Sequence, residues 1–322
     1  MTLAAVFTIA CGGHPTAPSG VSAGRSDVSP SVAAYLDEML GLMRRYALNR
    51  NTIDWNAFEE QVFQSAGLSR VRTVGDAHSA IQVALGLLKD GHSFYVAPSG
   101  AGVPNPNSPG CQPLTWHDPP LPPSIGYVQV GSFNGNGPAA TDFAATIQTR
   151  IREQDRPDLA GWIVDLRGNL GGNMWPMLAG VGPLLGEGEA GFFIDPDGVS
   201  TTWAYANGAA TLQGQVLEVV SPAYRLQRPN PRVAVLMDTG TASSGEAIAV
   251  AFRGRPNSQS YGTRSCGLST ANAFFLMSDG ARLVLTTATF ADRVRRPYGG
   301  SLFPDDPAGS SITRAVEWLL GA

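Results

Sequence analysis

A chain of 322 residues is long enough for one large domain or two smaller ones. Its 43% hydrophobic content supports a sizeable core, and 15% charge argues against disorder. The net charge of -4 offers no basic stripe to neutralise phosphates, which argues against a nucleic-acid partner. Lys89 is the only lysine; arginine carries the rest of the positive charge.

At the N-terminus, Leu3 to Ala10 is apolar and runs into Cys11-Gly12, followed by a Pro/Ser/Gly/Ala-rich stretch to Pro30. This reads as the end of a bacterial lipoprotein signal, with Cys11 acylated and residues 1–30 forming a tail and linker. The expected location is the bacterial cell envelope, as a lipoprotein or a periplasmic or secreted protein. The segment is too short to span a bilayer. In such a compartment Cys111 and Cys266 remain as an even pair, either joined as a disulfide or left as two buried thiols.

Residues 31–96 read as helical. Ser29 and Pro30 signal a start, and Val32, Leu36, Met39, Leu40, Met43 and Tyr46 recur on one face. A second helix is expected from Asp54, with Trp55, Phe58 and Val62 inward, and a third from Thr73, where Asp76 completes a capping pattern. Residues 97–124 are rich in Pro, Gly and Asn without periodicity, and read as a loop. From 125 to 322 strands and helices alternate: strands at 125–130, 162–166 and 233–237, and helices at 139–153, 174–185 and 247–252. Two further strands, 273–277 and 282–289, flank Ser278-Asp279-Gly280, and a helix over 312–320 closes the chain.

Four stretches carry chemistry: Asp90-Gly91-His92-Ser93, Asp165-Leu166-Arg167-Gly168-Asn169-Leu170-Gly171-Gly172, Gly240-Thr241-Ala242-Ser243-Ser244-Gly245-Glu246, and Tyr298-Gly299-Gly300 ahead of Pro304-Asp305. The third joins a buried strand to an apolar helix, so a serine there sits where helix N–H groups favour a developing anion. The bland reading is that Ser243 or Ser244 only caps the helix. Asp165 and Arg167 read as a structural charge pair. No His/Cys/Asp cluster has ligand spacing and no phosphate loop occurs, so neither metal nor cofactor is expected.

In this order the four stretches resemble the tail-specific (C-terminal processing) protease superfamily, which also contains the tricorn core and the interphotoreceptor retinoid-binding protein. The resemblance runs from Val32 to Pro307. It implies an α/β, crotonase-like (ClpP/crotonase) spiral of ββα units with an N-terminal helical cap, and too few residues separate Val96 from Ile125 for a PDZ domain. It implies a serine peptidase acting on a peptide or protein through an acyl-enzyme, with Ser243 as nucleophile. The tail-specific branch uses a lysine as base, but its position is Leu268 here. The chain is therefore similar to the histidine-using, tricorn-like branch, which makes His92 the general base, with an imidazole titrating near 6.5.

Oxyanion donors are then the backbone N–H of Ser244 and one from Gly171 or Gly172. The glutamate that orients the histidine in that branch has no counterpart at Pro297 or Tyr298, which leaves Asp292, Asp305 and Ser93 as candidates for the relay. The same fold also hosts non-catalytic binders of apolar ligands, and the same constellation would serve an esterase or amidase.

Overall fold

Helix-forming sequence sets the N-terminal part of the molecule, a computed structural model that describes residues 24–68, 71–307 and 311–321. Cys11 and the signal-like segment lie outside the described residues. The described residues form two units, one from the stretch between 24 and 108 together with 272–288, the other from 109–271 together with the described residues after 288.

In the first unit, helix α1 (Pro30–Tyr46) has Pro30 in its first turn and buries Val32, Tyr35, Leu36, Met39, Leu40 and Met43 along one stripe. Helix α2 (Trp55–Leu68) begins where the Asp54 carboxylate accepts the N–H groups of Asn56 and Ala57 at 3.1 and 3.2 Å. The Thr73–Asp76 capping pair is present, but it opens a 3-10 turn, Val74–Ala77, ahead of helix α3 (His78–Leu87). Strands β1 (Phe94–Val96) and β2 (Gly102–Val103) follow, the second inside the stretch expected to be a loop.

The second unit continues with β3 (Ile125–Gln129), α4 (Pro138–Gln154), β4 (Gly161–Asp165), α5 (Met174–Leu185), β5 (Gly188–Ile194), β6 (Ser200–Ala206), β7 (Ala209–Leu212), β8 (Gln215–Val219), β9 (Val233–Met237), α6 (Ser244–Phe252) and β10 (Ser258–Gly262). Strands β11 (Thr270–Leu276) and β12 (Arg282–Asp292) and helix α7 (Ser311–Leu320) complete the chain.

Most of β11 and the first part of β12 belong to the helical unit, not to the α/β core that the sequence suggested. The pairing explains this: β1 runs antiparallel to β12, with Phe94 opposite Val284 and Val96 opposite Arg282. Leu283 and Leu285 thereby join the buried cluster of Leu36, Met39, Phe63 and Ile81, and Phe275 stacks on Tyr46 with ring centroids 4.7 Å apart.

The core unit is built on a four-stranded parallel sheet in the order β10-β9-β4-β3. Strands β4 and β9 are buried at every position, the pattern of parallel strands covered on both faces. Ile163, Ala234 and Leu236 pack with Ile312, Ala315 and Leu319 of α7, while α6 is buried all round. An antiparallel meander, β5 to β8, has no counterpart in the sequence reading. Because β4 and β9 are parallel neighbours, the loops leaving their carboxyl ends, 166–173 and 238–243, emerge side by side. Two of the four stretches singled out in the sequence, 165–172 and 240–246, fall on those loops.

Candidate functional site

Ser243 sits between β9 and α6 with φ 52° and ψ -117°, a left-handed backbone that a non-glycine residue adopts only at a cost of about 1–3 kcal/mol. Ser243 does not lie in a Gly-x-Ser-x-Gly string, because Thr241 stands two residues before it, yet the backbone makes the same kind of sharp strand-to-helix turn. It is over-determined by its neighbours. Glu246, three residues on, accepts the Ser243 N–H at 2.9 Å, as in a capping box. The Glu246 carboxylate also receives the Ser265 hydroxyl and the N–H groups of Gly267 and Leu268, at 2.5, 3.0 and 2.8 Å. Burial pushes that carboxyl up to about 7, against the pull of those four donors.

A second carboxylate, Asp238, fastens the other side of the turn. Fully buried, it accepts the N–H groups of Gly168 and Gly240 on one oxygen, and the Leu114 N–H and Trp116 Nε1–H on the other, between 2.9 and 3.2 Å. Thr241 donates its hydroxyl to Leu166 O and receives the Asp238 N–H. Sequence reasoning missed Asp238; the available signal was an acidic residue at the carboxyl end of a buried strand, just before a small-residue turn. Asp238→Ala leaves the buried Gly240 N–H and three part-buried donors without their acceptor and is expected to cost about 2–3 kcal/mol, measured as a fall in the urea midpoint at unchanged slope.

The glycine loop meets this turn directly. Asn169 donates to Val130 O, accepts the Gly171 N–H at 2.9 Å on its side chain, and accepts the Ala242 N–H at 2.9 Å on its carbonyl. The Leu170 N–H is held by the Ser132 hydroxyl. A Cβ on Gly171, where φ is +98°, would lie 2.8 Å from Ser243 Cβ and 2.9 Å from Ala242 O. Gly171→Ala is therefore expected to destabilise by about 1–3 kcal/mol. It should also slow labelling of Ser243 by a fluorophosphonate, which a side-by-side time course would measure.

Between the two candidate glycines the geometry discriminates. The Gly171 N–H is spent on the Asn169 side chain. Gly172 is exposed at φ +118°, and among the described residues neither its N–H nor that of Ser244 is given to an acceptor. The two serines differ as well. The Ser244 hydroxyl donates to Gly172 O at 2.5 Å and the residue is buried, whereas Ser243 is part-exposed.

In the helical unit, Asp90 shapes the loop that carries His92. Its carboxylate accepts the His92 and Ser93 N–H groups at 3.0 and 2.6 Å and the Ser93 hydroxyl at 2.8 Å. The Ser93 hydroxyl receives the Thr286 N–H at 2.9 Å, and the His92 carbonyl receives Asn272 Nδ2–H at 3.1 Å. Ser93 thus holds the loop through Asp90 and Thr286. His92 is half-buried as a residue, and desolvation of its ring pushes the imidazole down to about 4, below the 6.5 expected.

The acidic relay candidates are engaged in fastening turns. Asp292 accepts the N–H groups of Val294 and Arg296 and the Tyr298 hydroxyl. Asp305 pairs with Arg253 at 2.7 Å and accepts both the N–H and the hydroxyl of Ser260. Neither arrangement requires a histidine. Asp165 and Arg167 form a buried ion pair at 2.6 Å that extends to Asp118, with Tyr127 donating to Asp165. Cys111 and Cys266 are joined as a disulfide, Cα to Cα 5.3 Å. Among the described residues no group of three or more His, Cys, Asp or Glu could hold a metal ion, and no helix is long and apolar enough to cross a membrane.

Comparison with known proteins adds the family context. The profile of Peptidase family S41 matches residues 124–301, more than half of the chain. The nisin-resistance protein of Lactococcus lactis subsp. lactis is 32% identical over 193 residues, 60% of this chain and 59% of that protein. A chloroplastic C-terminal processing peptidase of Tetradesmus obliquus is 26% identical over 176 residues, 53% of this chain and 33% of that peptidase. The match thus spans less than two thirds of either relative. Among solved structures, a lipoprotein from Streptococcus agalactiae shares the fold with a TM-score of 0.71 at 21% identity, covering 91% of this chain and 97% of that one.

Proposed function

The chain belongs to Peptidase family S41, and from that membership we propose that it hydrolyses peptide bonds through an acyl-enzyme on Ser243. The observation that carries the assignment is the strained Ser243 turn, held by Glu246 on one side and Asp238 on the other, at the N-terminus of α6. A turn kept left-handed against its own preference by two buried carboxylates supports a role that helix capping alone does not require. Ser243 attacks the carbonyl carbon, and the charge that develops on its oxygen is received by the N–H groups of Ser244 and Gly172. Such donors contribute about 3–4 kcal/mol each to lowering the barrier.

His92 is assigned as the base from the motif that carries it and from the absence of any lysine near the Leu268 position. Its depressed basicity keeps the ring neutral at working pH, and a neutral ring is the form that accepts a proton. Ser93 positions the loop. The finer fold assignment, the crotonase-like spiral of ββα units, is part of this proposal, as are acylation at Cys11 and an envelope location.

Incubation with unstructured peptides, followed by mass spectrometry of the fragments, tests the reading. Cleavage by the wild type and none by Ser243→Ala is expected. Tight binding of intact peptide or apolar ligand without cleavage by the wild type would point instead to a non-catalytic member of the fold, and cleavage restricted to small esters to an esterase.

A further inference from the structure

Two segments without regular secondary structure hold the Ser243 turn, and both end at the same covalent bond. On one side, the Cys266 N–H donates to Thr241 O at 2.9 Å, while Ser265, Gly267 and Leu268 supply three of the four donors on Glu246. Glu246 in turn holds the Ser243 N–H. On the other side, Gln112 O accepts the Thr239 hydroxyl at 2.6 Å, and Leu114 and Trp116 donate to Asp238. The fit is close: a Cβ on Gly240 would lie 2.6 Å from Pro113 Cα. The 109–118 segment and the 265–268 loop thus grip the 238–246 turn from two directions, and the Cys111–Cys266 bond closes the grip.

We propose that this disulfide is a positioning brace for Ser243, and that its two-electron reduction slows acylation while the fold persists. The inference rests on the serine-peptidase reading of Ser243. A dithiol reductant attacks by its thiolate at the half-buried Cys111 sulfur rather than at Cys266, which is 7% exposed. The Sγ–Sγ bond breaks, Cys111 and Cys266 each gain one electron and one proton, and the dithiol closes to its own cyclic disulfide. The fold survives because Ser265 keeps the Leu302 N–H at 2.7 Å and Asp238 keeps its turn amides. Released from Cys111, the 265–268 loop loosens its hold on Glu246, and the nucleophile loses its fixed geometry. A misplacement of about 1 Å at a reacting atom costs on the order of a hundredfold in rate.

The test compares oxidised protein, protein reduced with dithiothreitol and capped with iodoacetamide, and the double variant Cys111→Ser, Cys266→Ser. Two readouts are taken: fluorophosphonate labelling resolved into maximal rate and half-saturation, and amide exchange of peptides covering 241–252 and 263–270. Expected is a fall of about ten- to a hundredfold in maximal labelling rate at unchanged half-saturation, with faster exchange in both peptides and a retained cooperative thermal transition. Reoxidation without capping should restore the rate, and the double variant should be slow and indifferent to dithiothreitol. Equal labelling rates in oxidised and reduced protein would overturn the brace, and so would unchanged exchange. If the double variant fails to fold, the reduced and capped wild type decides alone. If the oxidised protein takes no label at all, the peptidase reading fails separately, and the exchange data still decide whether the bond holds the turn.

Discussion

Ser243→Ala is expected to reduce peptide hydrolysis by about ten-thousandfold or more, to the level left by binding and oxyanion donors alone. Ser244→Ala should retain most of the activity, although the two residues are adjacent and both lie at the start of α6. The contrast follows from what each hydroxyl does. Ser244 spends its proton on Gly172 O, so the variant loses one hydrogen bond, about 1 kcal/mol of stability, and keeps the backbone N–H that the oxyanion needs. Ser243 holds the left-handed position, and no other side chain can take its place from the same backbone. Initial rates on a cleaved peptide, with thermal melts to confirm folding, measure both variants. Equal loss in the two would contradict the division of roles.

His92→Ala should lower kcat/KM by about a hundred- to ten-thousandfold with little change in melting temperature, while Lys89→Ala should leave it unchanged. The pH profile carries the more specific expectation. An imidazole at about 4 is neutral throughout the physiological range, so kcat/KM should climb with its main step near pH 4 and be nearly level from pH 6 to 8. Glu246, at about 7, adds at most a shallow step, because one proton there displaces a donor without removing the nucleophile. The stability linkage has a definite sign. A folded pKa below the unfolded 6.5 contributes stability that is complete above 6.5 and is lost as pH falls from there through 4. His92→Gln should therefore flatten that part of the stability profile. A single acid limb centred at 6.5 in the rate profile would contradict the desolvated setting of the ring.

The helices and buried strands were legible because their periodicities are strong. The stripe from Val32 to Met43, the apolar run at 162–166 broken only by Asp165, and the unbroken one at 233–237 leave little choice. The meander over 188–219 was missed because its strands are half-exposed and alternate weakly. Its usable signal was local: Asn207-Gly208, both at positive φ, forms a two-residue hairpin loop between β6 and β7. Strand β10 is largely polar, Ser258-Gln259-Ser260 before Tyr261, and gains its place only by lying beside β9. The 272–288 hairpin reads correctly as a hairpin, but its allegiance to the helical unit depends on long-range pairing with β1.

The site divided along the same line. Residue types and motif order single out Ser243, Ser244, His92 and the glycine loop as candidates. Which glycine N–H stays free is decided by the side-chain oxygen of Asn169, and no spacing rule reports that. Asp292 and Asp305 were candidates by residue type and position, yet Asp292 is consumed by the amides of its own turn and Asp305 by Ser260 of β10 and by Arg253. The joining of Cys111 to Cys266 across 155 residues is set by tertiary distance alone.

Mass spectrometry of the wild-type protein after reaction with a fluorophosphonate tests the central claim most directly. A single adduct is predicted, on the peptide spanning Thr241 to Phe252, with fragment ions placing it on Ser243. An adduct on Ser244 or elsewhere, or none on a protein that melts cooperatively, would contradict it.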